Sequence, residues 1–333
     1  MPDIPYFNSF LVIPRVRVQN ANAISSPLTW GFPSMTAFLG FMWALERKMV
    51  HADSTFGIAF NSIGLVCHSF NPQVSDSNFF TRKFSLTRNP VRSNGETDSI
   101  VEEGRVHLEV SLILGLDVPS EILFSEEERK KMAFRISRRV EEMRIAGGTV
   151  IPGKFRTPML EVVDEDAEKR RLAFRKVRRS LLPGFAMVSR DDLLREQLKE
   201  MRKENPDATL LDAWLDLSRN NIRAVTQNEG QGRGSEESVT WVSSRKERGG
   251  WIVPIPIGYG SLTEIHHAGA VKNTKDKTTP VRFVESAYSI GQWIAPHHLY
   301  DFRELLWFGH YNETLGLYHC VNGYKPTKED AHV

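Results

Sequence analysis

The sequence predicts an α+β protein, an antiparallel sheet with helices on one face, carrying a largely helical inserted region. Three observations predict it. Apolar residues alternate at period two through Val106, Leu108, Val110 and Leu112, the pattern of a half-buried strand. Segments 35–49 and 125–144 instead space their apolar residues three and four apart, the period of a helix. These segments follow one another as strand, helix, strand, further strands and helix, without regular alternation and without internal repeats.

Each element has its own justification. Residues 10–18 open with Phe10, Leu11, Val12 and Ile13 and read as the first strand. Helix 35–49 carries Met35, Phe38, Leu39, Met42 and Leu45 on one stripe, with Ser34 expected as its cap. Strands are expected at 63–70, 79–87 and 105–114. Helix 125–144 starts with Ser125 and Glu128 as a capping box and buries Met132, Ile136, Val140 and Met143. It is expected to end at Gly147 and Gly148, where positive φ is available. This order is that of a ferredoxin-like sheet. Helices are then expected at 165–180, 191–203 and 208–221, with one strand-like piece at 184–189. Residues 228–237, NEGQGRGSEE, read as a hinge before β-rich sequence resumes at 239–241 and 251–257. The division is a body of 1–155 and 238–333, with 156–237 as the insertion and its basic helix at 165–180.

Composition limits the function. The 333 residues are 41% hydrophobic and 25% charged, as in soluble globular proteins. With 43 basic and 41 acidic residues, total charge does not point to nucleic acid. Two cysteines, Cys67 and Cys320, far apart in sequence, fit a disulfide framework and a zinc ribbon poorly. No apolar run approaches membrane-spanning length and no signal peptide is read, so no membrane contact and a cytoplasmic location are expected. Phosphate-loop, His-Glu-x-x-His and G-x-S-x-G patterns are absent. No catalytic residue, metal or cofactor is expected. His266-His267 and His297-His298 are adjacent pairs that point to different sides, which suits a surface better than a chelate.

Four places offer binding chemistry. The connection 20–34, NANAISSPLTWGFPS, is fifteen residues without a charge. Such a loop either packs on its own protein or lies against a ligand, with Asn20, Asn22, Ser25 and Ser26 as hydrogen-bonding groups and Trp30 as a stacking plane. Residues 169–179 hold seven Lys or Arg, and Arg171, Arg175, Arg178 and Arg179 fall on one helical face. A polyanion or an acidic partner would relieve their repulsion; the alternative is neutralisation by Asp164, Glu165, Asp166 and Glu168. Residues 271–283 interleave basic groups, amides and an aromatic, including Lys272, Asn273, Arg282 and Phe283. Arg82, Lys83 and Arg88 add positive charge around the third strand. His107 alternates away from the apolar side of its strand, beside Arg105 and Glu109, as a hydrogen-bonding residue or a general base.

Seven segments together resemble one family: NANAISSPLTWGFPS (20–34), LTRNP (86–90), IVEEGR-HLEVSLILG (100–115), MRIAGG (143–148), LLPGFAMVSR (181–190), GWIVPIPIGY (250–259) and TPVRFVE (279–285). The chain resembles the second Csy proteins of type I-F CRISPR surveillance (Cascade) complexes, the Cas-five-type tail subunits of the repeat-associated RNA-binding superfamily. The resemblance runs from about residue 10 to about 310. It implies an RRM-like, ferredoxin-type body with a thumb-like insertion and no nuclease activity. It also implies a set of partners: the 5′ handle of the CRISPR RNA, the large Csy tail subunit and the first Csy backbone subunit. Target DNA near the tail and phage anti-CRISPR proteins are further expected partners. On this reading Asn20, Asn22, Ser25 and Ser26 meet base edges or sugars, and Arg88, Arg105, Arg144, Lys272 and Arg282 meet phosphates or stack. Asn273 reads a base; Trp30 and Phe283 stack one or belong to the core; His107 is a contact without proton transfer. Two rival classes stand beside it. One is a guide-processing endoribonuclease of the same superfamily, using His107. The other is an adaptor that touches only protein.

Overall fold

A computed structural model describes residues 2–78, 81–84, 95–96, 104–123, 125–153, 157–164, 166–220, 222–227, 238–243, 250–274 and 276–326. In chain order the first half gives β1 (Ser9–Asn22), α1 (Met35–Ala52), β2 (Ala59–Pro72), β3 (Val74–Asn78), β4 (Thr81–Phe84) and β5 (Arg105–Asp117). It continues with α2 (Ser120–Leu123), α3 (Glu126–Glu141), β6 (Arg144–Ile145), β7 (Gly148–Val150) and β8 (Met159–Val162). The second half gives α4 (Ala167–Arg178), β9 (Phe185–Ser189), α5 (Asp191–Glu204), α6 (Leu210–Ser218), β10 (Ile222–Gln227) and β11 (Ser238–Ser243). It closes with β12 (Trp251–Ser261), β13 (Val284–Ile294), β14 (Leu306–Asn312) and β15 (Leu317–Asn322).

The main sheet is antiparallel and runs β14–β15–β12–β13–β9–β2–β5–β1–β7–β6, with β8 also on β1. Because β14 returns to pair with β2, the second-half strands close into a ring with β2. Alternation along β1 explains why both sheet faces are covered. Leu11 and Ile13 join one core with Phe38, Leu39, Met42 and Leu45 of α1 and Ile136 and Val140 of α3. Phe10 and Val12 join a second core with Phe174 and Val177 of α4, Phe302, Leu305 and Leu306. Each fully buried aliphatic or Phe side chain contributes about 1.5–3 kcal/mol. Residues Leu305 and Leu306 are therefore core, and Trp307 is buried beside them with its indole N–H on the Met187 carbonyl at 2.9 Å. Helices α5 and α6 rest on β12 and β13 through Trp214, Leu217 and Ile290.

Several expectations change. Ser34 precedes α1, but its hydroxyl bonds Thr36 Oγ1 at 2.7 Å and caps no backbone N–H. Ser125 does cap α3, accepting from Glu128 N at 3.3 Å. That helix stops at Glu141 rather than at the glycines, since Ala146 and Gly147, both at positive φ, form the turn joining β6 to β7. Of the strand expected at 79–87, residues 81–84 are β4, paired with β3 in a hairpin, while 79–80 and 85–94 lie outside the described residues. The expected piece at 184–189 is β9, a full member of the main sheet between β13 and β2. The hinge at 228–237 lies outside the described residues.

Candidate nucleic-acid interface

The end of β1 builds the site. Pairing with β5 jumps between Val18 and Ala21, and Asn20 sits in the bulge at φ 57°. Asparagine tolerates this left-handed conformation better than most side chains. The bulge turns the Asn20 N–H out of the ladder, and it donates to His107 Nδ1 at 3.1 Å. His107 Nδ1 is thus an acceptor. Arg105 reaches back to the Asn20 carbonyl at 3.4 Å.

Beyond the bulge the chain turns sharply. Asn22 closes on Ile24 with both ends of its amide, Nδ2 to the carbonyl at 2.9 Å and Oδ1 from the N–H at 3.0 Å. Ser25 Oγ accepts from Ser34 N at 3.0 Å and ties the two ends of the loop together. Ser26, expected on a base edge, is buried. Its hydroxyl pairs with Thr29 Oγ1 at 2.6 Å and accepts the Thr29 N–H. The uncharged loop is therefore partly self-packed and partly wall.

What it walls is a groove of about 620 Å³. Asn22 and Ser25 stand on one bank with the first half of α1, including Trp43. Exposed Arg144 and the β6–β7 turn form another, and Tyr259 of β12 and Tyr318 of β15 the far end. The same two tyrosines line an adjoining cavity of about 380 Å³ that holds Arg282 and Tyr311. Arg282 is fixed there, donating to Ser261 Oγ at 2.9 Å and Tyr311 Oη at 3.1 Å. Backbone proximity makes this corner: a side chain on Gly258 would run into the Tyr318 carbonyl. Burial raises the Tyr318 phenol well above its ordinary value, so it stays un-ionised. Cations, an amide, hydroxyls and aromatic faces thus line a trough of two cavities that share Tyr259 and Tyr318, the mixture that holds a single-stranded backbone.

The other candidates fall elsewhere. Lys272 and Asn273 are exposed on the loop between β12 and β13 and line neither cavity. Phe283 is half exposed, edge-on to His266 at 5.5 Å. Trp30 is exposed and edge-on to Phe84, in a separate cleft. Arg88 lies outside the described residues. On α4, Arg175 and Arg179 are exposed and Arg171 pairs with Glu168 at 3.3 Å. Arg178 does not join that stripe; it turns inward and donates to the carbonyls of His297 and Leu299. Sequence reasoning missed Trp43 of α1, and it missed Tyr259, Tyr311 and Tyr318 because strand pairing alone brings these tyrosines together. Among the described residues, no group of three His, Cys, Asp or Glu is arranged to hold a metal ion. No described helix is long and apolar enough to cross a membrane.

The family model for CRISPR-associated protein (Cas_Csy2) matches residues 11–320. The chain belongs to the Csy2 family. The CRISPR-associated protein Csy2 of Pseudomonas aeruginosa (strain UCBPP-PA14) is 41% identical over 317 residues, covering 93% of this chain and 94% of that protein. The family match encloses every element of the trough, from Asn22 at the end of β1 to Tyr318 on β15.

Proposed function

We propose that this chain is a non-catalytic subunit of the type I-F CRISPR RNA-guided surveillance complex. It binds the 5′ handle of the CRISPR RNA and pairs with the large Csy subunit to form the tail, supporting target DNA recognition in antiviral defence. Membership of the Csy2 family supports the complex. The observation that carries the RNA contact is the trough from Asn22 and Arg144, past Tyr259 and Tyr318, to Arg282. The spatial order β7–β1–β5–β2, with α1 and α3 packed into one core, supports reading the body as ferredoxin-like and RRM-like. Residues 156–237 are then a thumb-like insertion that lends β9 to the sheet.

The test is binding of the purified chain, with its large Csy partner, to handle RNA and to the same RNA with the handle scrambled, at two salt concentrations. A preference for the true handle that survives higher salt is expected. Equal binding to both, falling steeply with salt, would reduce the contact to non-specific phosphate attraction and move handle reading to another subunit.

A further inference from the structure

Ser25 also borders a second cleft, of about 430 Å³, under the same loop. Its floor is one face of four adjacent strands. Cross-strand pairing of Cys67 with Phe185, of Met187 with Trp293 and of Trp293 with Trp251 sets these side chains in a row. Trp30 and Phe32 hang over them from the loop, and Phe70 closes the rim. Four of these lining aromatics keep large exposed areas, Trp30 56%, Trp251 55%, Phe185 43% and Phe70 40%, with Phe185 and Trp251 also bordering a smaller cavity of about 220 Å³. A surface that exposes aromatic planes together is built to be covered.

The cleft's wall says by what. Among the described residues β12 pairs along 251–256 only with β13; its ladder with β15 begins at Gly258. In an antiparallel strand a residue's N–H and C=O point to the same side, and alternate residues point to opposite sides. Val253 and Ile255 face β13, so Pro254 and Pro256 face the open edge. Proline has no N–H, and that edge presents carbonyl acceptors without matching donors at these two positions. An added β-strand needs both and is disfavoured. An amino group needs only the acceptors. Among the described residues no Asp, Glu, Lys or Arg lines the cleft, His68 is hydrogen-bonded to the Pro183 carbonyl and Ser111 Oγ at 2.7 Å each, and burial pushes the Cys67 thiol up to about 12, so it adds no charge either. Phosphates therefore belong to the neighbouring trough and a neutral ring belongs here.

We propose that this cleft takes one unstacked nucleobase of the RNA, gripped by Trp251 and Phe185 from the sheet and Trp30 from the loop. The base carries an exocyclic amino group, as adenine and cytosine do, directed to the carbonyls of Pro254 and Pro256. This rests on the RNA reading of the trough and adds a specific seat to it. The loop 23–32 acts as a flap shared by both: one wall for the backbone, the other for the base.

The test is an abasic scan. The chain with its large Csy partner is titrated with handle RNAs that lack one base at a time, alongside Trp251→Ala and Trp251→Phe. One position is expected to lose about tenfold in affinity when its base is removed. Trp251→Ala loses about as much on intact RNA, nothing further on that abasic RNA, and Trp251→Phe restores most of the loss. A flat scan with the handle preference intact would overturn the base seat and leave the trough reading standing. Losses that multiply between Trp251→Ala and the abasic position would also overturn it, since the base is then read elsewhere. A chain with no preference for the handle at all would remove the RNA reading first. A flat scan on wild-type protein needs no variant, and if a substitution at Trp251 fails to fold, Trp30→Ala on the exposed loop makes the same double comparison.

Discussion

Helix α4 and the trough make opposite uses of positive charge. The helix region holds seven Lys or Arg in eleven residues, 169–179, while the trough is served by Arg144 and Arg282. Yet much of the helix's charge is already engaged within the protein. Arg170 pairs with Asp301 at 3.3 Å where both are mostly covered, Arg171 pairs with Glu168, and Arg178 holds the 297–299 turn. Asp166 caps the first turn, accepting from Glu168 N at 2.7 Å. In the trough Arg144 is exposed, and Arg282, held by Ser261, Tyr311 and the exposed Glu264 at 3.7 Å, stands among aromatic faces that a strand can run along. Charge density marks where a chain is basic; placement marks where it can bind.

That contrast can be broken or sharpened by substitution. The largest effect is expected from Arg144→Ala combined with Tyr259→Ala. It removes a cation and an exposed ring from the trough and should weaken handle binding about 100-fold by RNA titration. Arg170→Ala should instead act on stability, costing about 2 kcal/mol in urea unfolding by leaving Asp301 without its counter-charge, while folded protein keeps its RNA affinity. Replacing both exposed guanidiniums, Arg175→Ala with Arg179→Ala, should change handle affinity less than about threefold and leave the salt slope unaltered. A slope shallower by about 1.4 would mean that both touch phosphates, and the contrast would fail.

A smaller effect tests the scaffold beneath the trough. Asp53 follows α1 and bonds Arg135 of α3 at 2.8 Å and Thr55. Thr55 first, then Arg135, hold its carboxyl down at about 2. A depressed carboxylate contributes stability above its unfolded value, about 4, and loses it as pH falls through the folded value. Wild type should therefore exceed Asp53→Asn in stability at pH 7, with the gap closing between about pH 4 and pH 2. Thermal melts across that range would show it. The least change is expected from His107→Ala, which should leave guide-length RNA cleavage products as they were. Loss of those products would favour the endoribonuclease.

Much of the framework was legible in the sequence because local periodicity decides it. The α1 stripe and the alternation of β5 mark buried faces, and both elements were recovered within a few residues. Ends were harder. The glycines after α3 looked like a helix stop because positive φ serves a cap and a hairpin turn alike, and only the pairing of β6 with β7 decides between them. Strand β9 looked like a piece of the insertion because its partners lie over a hundred residues away in β13 and β2. Half of the trough was legible, since Asn22, Ser25, Arg144 and Arg282 carry recognisable chemistry. Tyr259 and Tyr318 were not, because an aromatic on a strand reads equally as core until its face is known. Ser26 shows the converse: a hydroxyl that looks available can be consumed two or three residues away.

The most direct test of the trough is ultraviolet cross-linking of handle RNA to the chain bound with its large Csy partner, with cross-linked peptides mapped by mass spectrometry. Cross-links at Trp43, Tyr259, Tyr311 or Tyr318 are the predicted result. Cross-links confined to α4 and the 262–283 loop, with none in the trough, would contradict it.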